Sequence, residues 1–77
     1  MTRDEVVALL TIANIYDDRK PSETLVIAWS EAAQRAHWTF HTAKEAIHNH
    51  YAETSDRIMP GHITERIRRT RRRFWDQ

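Results

Sequence analysis

Apolar residues recur at helical spacing in four segments of the chain, and short polar stretches separate these segments. Thr2 and Glu5, at the start of the first segment, have the spacing of a capping box, in which each side chain binds the backbone N–H of the other residue. These features predict a first helix over residues 3–18. Its apolar positions share one face, as a 3.6-residue period requires, and comprise Val6, Leu9, Leu10, Ala13 and Tyr16.

The second segment begins after a proline and a residue suited to cap a helix. Pro21 disfavours helical backbone at Lys20, and the Ser22 hydroxyl can accept a hydrogen bond from the first turn. We therefore predict a second helix over residues 23–36. Its apolar positions include three alanines, which allow a neighbouring helix to approach closely, and comprise Leu25, Val26, Trp29, Ala32, Ala33 and Ala36.

The third segment follows a short corner that contains Trp38. Thr39 is the N-cap expected for a helix over residues 40–53, whose apolar face comprises Phe40, Ala43, Ala46, Ile47 and Tyr51. His50 lies on the same face by angle, so we expect it to be buried and bonded to a backbone carbonyl. Trp29 and Trp38 are expected in the core or at its edge.

The fourth segment combines a narrow apolar face with a large excess of arginine. Pro60 suits the first position of a helix, and we predict a helix over residues 60–74. Its apolar face spans about 60° and comprises Ile63, Ile67, Thr70 and Phe74. The rest of its circumference is predicted to face solvent and carries Arg66, Arg68, Arg69, Arg71, Arg72 and Arg73, with Trp75 among them by angle.

The four segments together predict the fold class. Alternation of the kind that marks strands is absent, and one glycine and two prolines leave few turn signals in 77 residues. We predict an all-α protein, a compact bundle of four short helices with a basic C-terminal helix, formed as a single domain over residues 1–77. A chain of this size buries a small core, so its stability margin is narrow.

The composition favours a cytoplasmic protein. The chain has no cysteine, which excludes disulfides and thiolate metal sites and is typical of a reducing compartment. Its start lacks the basic and then apolar segments of a signal peptide. No unbroken apolar run is longer than that of Leu25–Trp29, which is far too short to span a bilayer, so no membrane partner is expected.

Charge is distributed unevenly along the chain. Residues 1–64 contain six lysines and arginines against nine acidic residues, and residues 65–77 contain six arginines against two acidic residues. An acidic body with a basic tail is typical of proteins with polyanionic partners, although the tail could equally contact its own body or a second copy in a homo-oligomer. An ordinary solvent-exposed face is the other alternative. Since arginine makes bidentate bonds to phosphate and carboxylate, the residues predicted to bind nucleic acid or a protein partner are Arg66, Arg68, Arg69, Arg71, Arg72, Arg73 and Trp75.

Residues typical of catalytic and metal sites do not occur in workable arrangements. The sequence contains no nucleophile–histidine–carboxylate set, no glycine-rich phosphate loop and no His-Glu-x-x-His motif. Among the five histidines, His37 and His41 have the spacing of two metal ligands on one helix, but the predicted corner divides them between two helices. We therefore predict a protein without enzymatic activity, metal or other cofactor.

A helix-turn-helix is a further interpretation, because a short corner joins the second and third helices. A recognition helix presents long polar side chains near its start, whereas the third helix offers Phe40, His41, Lys44 and Glu45. The arginines lie on the fourth helix instead, which argues against the simplest form of this interpretation.

One long stretch of the chain is similar to a known family. Val26–Arg72 contains a tryptophan helix, a small-residue helix with His-Tyr near its end, and a Pro-Gly-His-Ile sequence that opens a helix with arginines. This order resembles the small all-helical replication proteins of phages and prophages, the helicase loader and inhibitor family. The resemblance implies an adaptor that acts on a ring-shaped replicative helicase. The residues that carry it are Trp29, Ala46, His50, Tyr51, Pro60, Ile63 and Arg68.

Three functions are consistent with these patterns. The first, implied by the resemblance, is a non-enzymatic adaptor in phage or prophage DNA replication that binds a replicative helicase or a related replication protein. The second is a direct DNA-binding regulator, such as a repressor or excision factor, that uses the arginine-rich helix. The third is an inhibitor of a host protein. Salt dependence separates them, because direct DNA binding weakens steeply as the salt concentration rises.

Overall fold

The computed structural model consists of four α-helices: α1 (Arg3–Asp17), α2 (Glu23–Ala36), α3 (Phe40–Glu53) and α4 (Pro60–Trp75). The structure describes the backbone of residues 1–18 and 20–75 and the side chains of these residues up to Thr70. This part of the chain contains helices and no strands, so the predicted all-α bundle is confirmed. α1 ends one residue before its predicted end and α4 ends one residue after, whereas α2 and α3 have the predicted bounds.

Three helices begin at the caps that the sequence indicated. The Thr2 hydroxyl accepts the Glu5 N–H at 3.2 Å and the Glu5 carboxylate accepts the Thr2 N–H at 2.9 Å, which completes the predicted capping box. The Ser22 hydroxyl accepts the Leu25 N–H at 3.2 Å, and the Thr39 hydroxyl accepts the Thr42 N–H at 3.2 Å. Each cap satisfies a backbone donor that the helix itself leaves free, and this explains where the helices start.

The corner between α2 and α3 is made without glycine. His37 has a φ angle of 58°, in the left-handed region, where aspartate, asparagine and histidine occur more often than other non-glycine residues. This turn allows the Trp38 N–H to donate to the Ala33 carbonyl at 3.0 Å, the bond that closes a Schellman-type helix end. Asp18, also at φ 58°, follows the end of α1 in the same conformation.

The helices pack in a ring in which each has two neighbours. α1 lies against α2 and α3, and α4 lies against the same two helices. α1 and α4 are therefore diagonal to each other, and α4 makes both of its contacts with one side of its surface. Within the described residues, no helix combines the length and the apolar character needed to cross a membrane.

The core contains both tryptophans that the sequence placed there. Trp29 is 1% exposed and Trp38 is 4% exposed, and their rings meet edge to face with centroids 6.2 Å apart. The Trp38 indole N–H donates to the Thr64 hydroxyl at 3.0 Å. A residue of α4 therefore provides the hydrogen-bond acceptor that this buried indole N–H needs. The other fully buried large side chains are Val6, Leu9, Leu10, Ile47, Ile58 and Ile63.

Three residues differ from the predicted core. Tyr16 was placed on the apolar face of α1, but it is 46% exposed, and its ring stacks on the partly buried Tyr51 with centroids 4.7 Å apart. Thr70 was placed on the apolar face of α4, but it is exposed, and its hydroxyl donates to the Arg66 carbonyl at 3.0 Å. Ile58, in the polar stretch before α4, was not predicted and is fully buried.

Candidate partner-binding site

Two isoleucines hold α4 in the bundle. Ile63 is fully buried and Ile67 is 4% exposed, and the helix contacts α2 and α3. The start of α4 is closed by two bonds of 2.9 Å, one from the Met59 N–H to His62 Nδ1 and one from the His62 N–H to the Met59 carbonyl. Since Ile63 and Ile67 dock one face of the helix, the residues on the opposite face must point to solvent.

Arg66 does not belong to the solvent face on which the sequence placed it. Its side chain is only 16% exposed, and its guanidinium lies 2.8 Å from the Glu53 carboxylate at the end of α3. The hydrogen bond from Arg66, and then its positive charge, lower the pKa of the Glu53 carboxyl. By helical angle Arg66 lies about 80° from the centre of the apolar face, so its long side chain can reach α3. It joins two helices, and its role in binding a partner stays a prediction.

Arg68 and Arg69 are exposed, in agreement with their predicted outward orientation. Arg69 is 58% exposed, and its Nε lies 3.7 Å from the Glu65 carboxylate one turn earlier. A pair of this length between exposed side chains contributes little to folding and is easily exchanged for another partner. Arg68 makes no ion pair with any of the described side chains. These two guanidiniums are the described part of the basic face, and their role in binding stays a prediction.

The remaining predicted binding residues lie at the end of α4. The helical backbone continues through Trp75, so Arg71, Arg72 and Arg73 are on the same helix as Arg68. Their side chains, and those of Phe74 and Trp75, lie outside the described residues. The predictions for these five residues stay as the sequence analysis stated them.

α4 borders a groove on each of its two sides. The groove between α2 and α4 measures ≈ 420 Å³, has small residues along it, and carries Arg35 on one side and Arg68 on the other. The groove between α3 and α4 measures ≈ 360 Å³ and is lined by apolar, acidic and basic side chains together. Sequence reasoning did not single out Arg35, because its proximity to Arg68 depends on the packing of α2 against α4.

His48, His50 and His62 make contacts with defined partners. His50 is 4% exposed, and its Nε2–H donates to the Asp56 carbonyl at 2.7 Å, which confirms the predicted buried histidine. Its ring stacks on His62 with centroids 4.9 Å apart. His48 Nδ1 lies 2.8 Å from the Tyr16 hydroxyl. Among the described residues, no group of three or more His, Asp or Glu side chains has the geometry to hold a metal ion.

A tyrosine network that the sequence did not reveal secures the segment before α4. The Tyr51 hydroxyl donates to the Asp17 carboxylate at 2.6 Å and accepts the Ile58 N–H at 2.9 Å. It therefore links the end of α1, α3 and the segment that leads into α4. No local sequence signal could have identified these contacts, because the three groups are distant along the chain.

Comparison of the chain with models of protein families, with curated proteins and with solved structures gave no match. The geometry and charge of α4 and its two grooves are therefore the basis for a functional proposal.

Proposed function

We propose that this protein is a non-enzymatic, cytoplasmic adaptor of phage or prophage DNA replication that binds a replicative helicase or a related replication protein through α4. The single observation that carries the proposal is the division of α4 into two faces. Ile63 and Ile67 are buried in the bundle, and Arg68 and Arg69 are exposed on the other side. The resemblance of Val26–Arg72 to helicase loaders and inhibitors supports the choice of partner.

The division matters because docking and binding then use different residues. A helix fixed by its apolar face presents its basic side chains at defined positions, so a partner does not have to order the helix when it binds. Exposed arginines are suited to this role, since the guanidinium binds carboxylates in a bidentate manner and stacks on aromatic rings. The helix therefore acts as a preformed recognition element.

The charges around α4 favour a protein partner over a nucleic acid. Glu65 lies on the exposed side of the helix, 3.7 Å from Arg69, and Glu45 lines the groove between α3 and α4 without an ion pair to the described side chains. A phosphate backbone presents negative charge only, and these carboxylates would repel it. A protein surface can present both signs, and opposite charges across an interface set its orientation.

Direct DNA binding is the second candidate, and one observation favours it. Arg68 and Arg35 lie on opposite sides of the groove between α2 and α4. Arg35 pairs with Glu31 at 2.8 Å but its side chain is 78% exposed, so two guanidiniums from different helices could contact neighbouring phosphates. In this case the protein would be a DNA-binding regulator. The third function, inhibition of a host protein, would use the same basic face of α4. It differs from the adaptor function only in that binding blocks the activity of the partner.

Charge reversal on α4 tests the proposal. The Arg68→Glu/Arg69→Glu variant should retain its fold and lose binding to the purified replicative helicase from the source cell, measured with nuclease-treated protein by calorimetry. The matched control is Lys20→Glu/Arg57→Glu, which changes the net charge by the same amount at two exposed residues outside α4. The control should bind the helicase as the parent does.

Duplex and single-stranded DNA are titrated in parallel at two salt concentrations. If the parent binds DNA with an affinity that falls steeply with salt and does not bind the helicase, the protein is a DNA-binding regulator. If both double variants bind the helicase as well as the parent does, the exposed arginines are an ordinary solvated face and the proposed site is wrong.

A further inference from the structure

The groove between α3 and α4 has an apolar floor. Ala46 from α3 and Ile67 from α4 line it, and each is 4% exposed. Ala46 has the smallest side chain that a helix can place there apart from glycine, which leaves a depression between the two helices. Its volume of ≈ 360 Å³ is at the lower end of the range of ligand pockets. It is large enough for one aromatic or long aliphatic side chain.

The two walls of this groove carry opposite charges. Arg69 is on the α4 wall, and Glu45 is on the α3 wall. Glu45 is exposed and makes no ion pair with the described side chains. Arg66 and Glu53 also line the groove, but they neutralise each other at 2.8 Å. Among the described side chains, the charges available to a partner are therefore one positive group on the α4 wall, Arg69, and one negative group on the α3 wall, Glu45.

We propose that this groove takes one large apolar side chain of a protein partner, with an acidic residue beside it that contacts Arg69. The inference rests on the proposed function and names the kind of surface that α4 recognises. A buried apolar anchor surrounded by polar contacts is the arrangement in which interface energy is concentrated. Glu45 repels an acidic group on the α3 side, so the partner segment enters in one orientation.

A test that needs no knowledge of the partner uses three capped tripeptides: Asp-Trp-Lys, which offers an acid to Arg69 and a base to Glu45, and the controls Asp-Ala-Lys and Lys-Trp-Lys. Each is titrated into the protein while the backbone amide resonances are followed by NMR. We expect Asp-Trp-Lys to shift the amides of Ala46, Asn49, Ile67 and Arg69 in a saturable manner, with a Kd on the order of 1 mM. The other two peptides should bind about tenfold more weakly or worse, because each lacks one of the two contacts.

A variant that fills the groove provides the second part of the test. Asn49 is exposed and lines the groove, so Asn49→Phe places a ring in it without altering the core. Gln34→Phe is the matched control, since Gln34 is an exposed amide on α2 and lines neither groove. Both variants should unfold at the same temperature within a few degrees. Asn49→Phe should lose the Asp-Trp-Lys shifts, and Gln34→Phe should retain them.

The results separate this inference from the proposed function. If Asp-Trp-Lys shifts no groove amide, or if Asp-Ala-Lys shifts the same amides equally, the apolar anchor is wrong even when the helicase binds through Arg68 and Arg69. If the helicase does not bind but the peptide shifts behave as expected, the groove recognises a different protein. If the helicase binds and the peptide shifts behave as expected, Asn49→Phe should weaken helicase binding about tenfold or more. Gln34→Phe should leave helicase binding unchanged.

Discussion

The Trp38 indole donates a 3.0 Å hydrogen bond to the Thr64 hydroxyl, and this bond connects the α2–α3 corner to α4. Thr64→Val removes the acceptor, keeps the shape of the side chain and leaves a buried N–H without this partner. Such a group costs about 1–3 kcal/mol, so the free energy of unfolding in urea should fall by that amount. Thr70→Val is the control, because the Thr70 hydroxyl is exposed and bonds only to the Arg66 carbonyl of its own helix among the described groups. Equal losses in both variants would contradict the prediction.

The Arg66–Glu53 pair predicts a pH dependence. Arg66 lowers the pKa of the Glu53 carboxyl from the ordinary value of 4.5, so the folded state binds this proton less readily than the unfolded state. The pair therefore stabilises the fold above pH 4.5, and its contribution is lost as the pH falls through the lowered pKa. The parent should be more stable than Glu53→Gln at pH 7, and the difference should disappear in acid.

Urea unfolding at a series of pH values from neutral to about 3 checks this expectation. Glu45→Gln serves as the control, since Glu45 is an exposed carboxylate on the same helix without an ion pair to the described side chains. A Glu53→Gln variant whose stability differs from the parent by the same amount at every pH would show that the pair does not titrate as described.

Trp29 is the largest fully buried side chain of the core. Truncation to alanine should cost about 3–5 kcal/mol through lost contacts and the cavity that remains, a large part of the stability of a small domain. Thermal unfolding followed by circular dichroism measures the loss. Ile27→Ala on the same helix is the comparison, because Ile27 is 62% exposed and its truncation should change the melting temperature little. Similar melting of Trp29→Ala and the parent would refute the packing of α2.

Stability and binding should respond to different faces of α4. Ile67→Ala should lower the free energy of unfolding by about 2–4 kcal/mol and reduce binding only as the folded fraction falls. Arg68→Glu/Arg69→Glu should melt close to the parent, because exposed charges contribute little to folding. Melting curves and binding isotherms of both variants, recorded under the same conditions, distinguish the two effects. A large loss of stability in the double glutamate variant would argue that these side chains have a packing role.

No metal should be needed for folding. His48, His50 and His62 bond to side-chain or backbone groups, and no cluster of three or more ligands occurs among the described residues. Incubation with a strong chelator should leave the melting temperature unchanged. A clear decrease, restored by a stoichiometric divalent cation, would identify a site that includes residues outside the described part of the chain.

The sequence by itself determined the helices and most of the core. Caps such as Thr2 and Thr39 act on backbone groups two or three residues away, so their effect can be predicted from neighbouring positions. The apolar faces are similarly local, because the helical period decides which side chains share a face. The docking residues Ile63 and Ile67, the buried Trp29 and the bonded His50 were identified on this basis.

Only the tertiary structure decided which arginines of α4 are paired with another helix and which are exposed. Arg66 and Arg69 are both arginines of one helix, yet Arg66 is held by Glu53 and Arg69 is exposed. The difference depends on where the end of α3 lies relative to α4, which no short-range pattern contains. The groove over Ala46 and Ile67 has the same origin, since it exists only when α3 and α4 pack side by side. Contacts between distant segments follow from how all four helices bury their apolar faces together, and periodicity within one helix does not specify that arrangement.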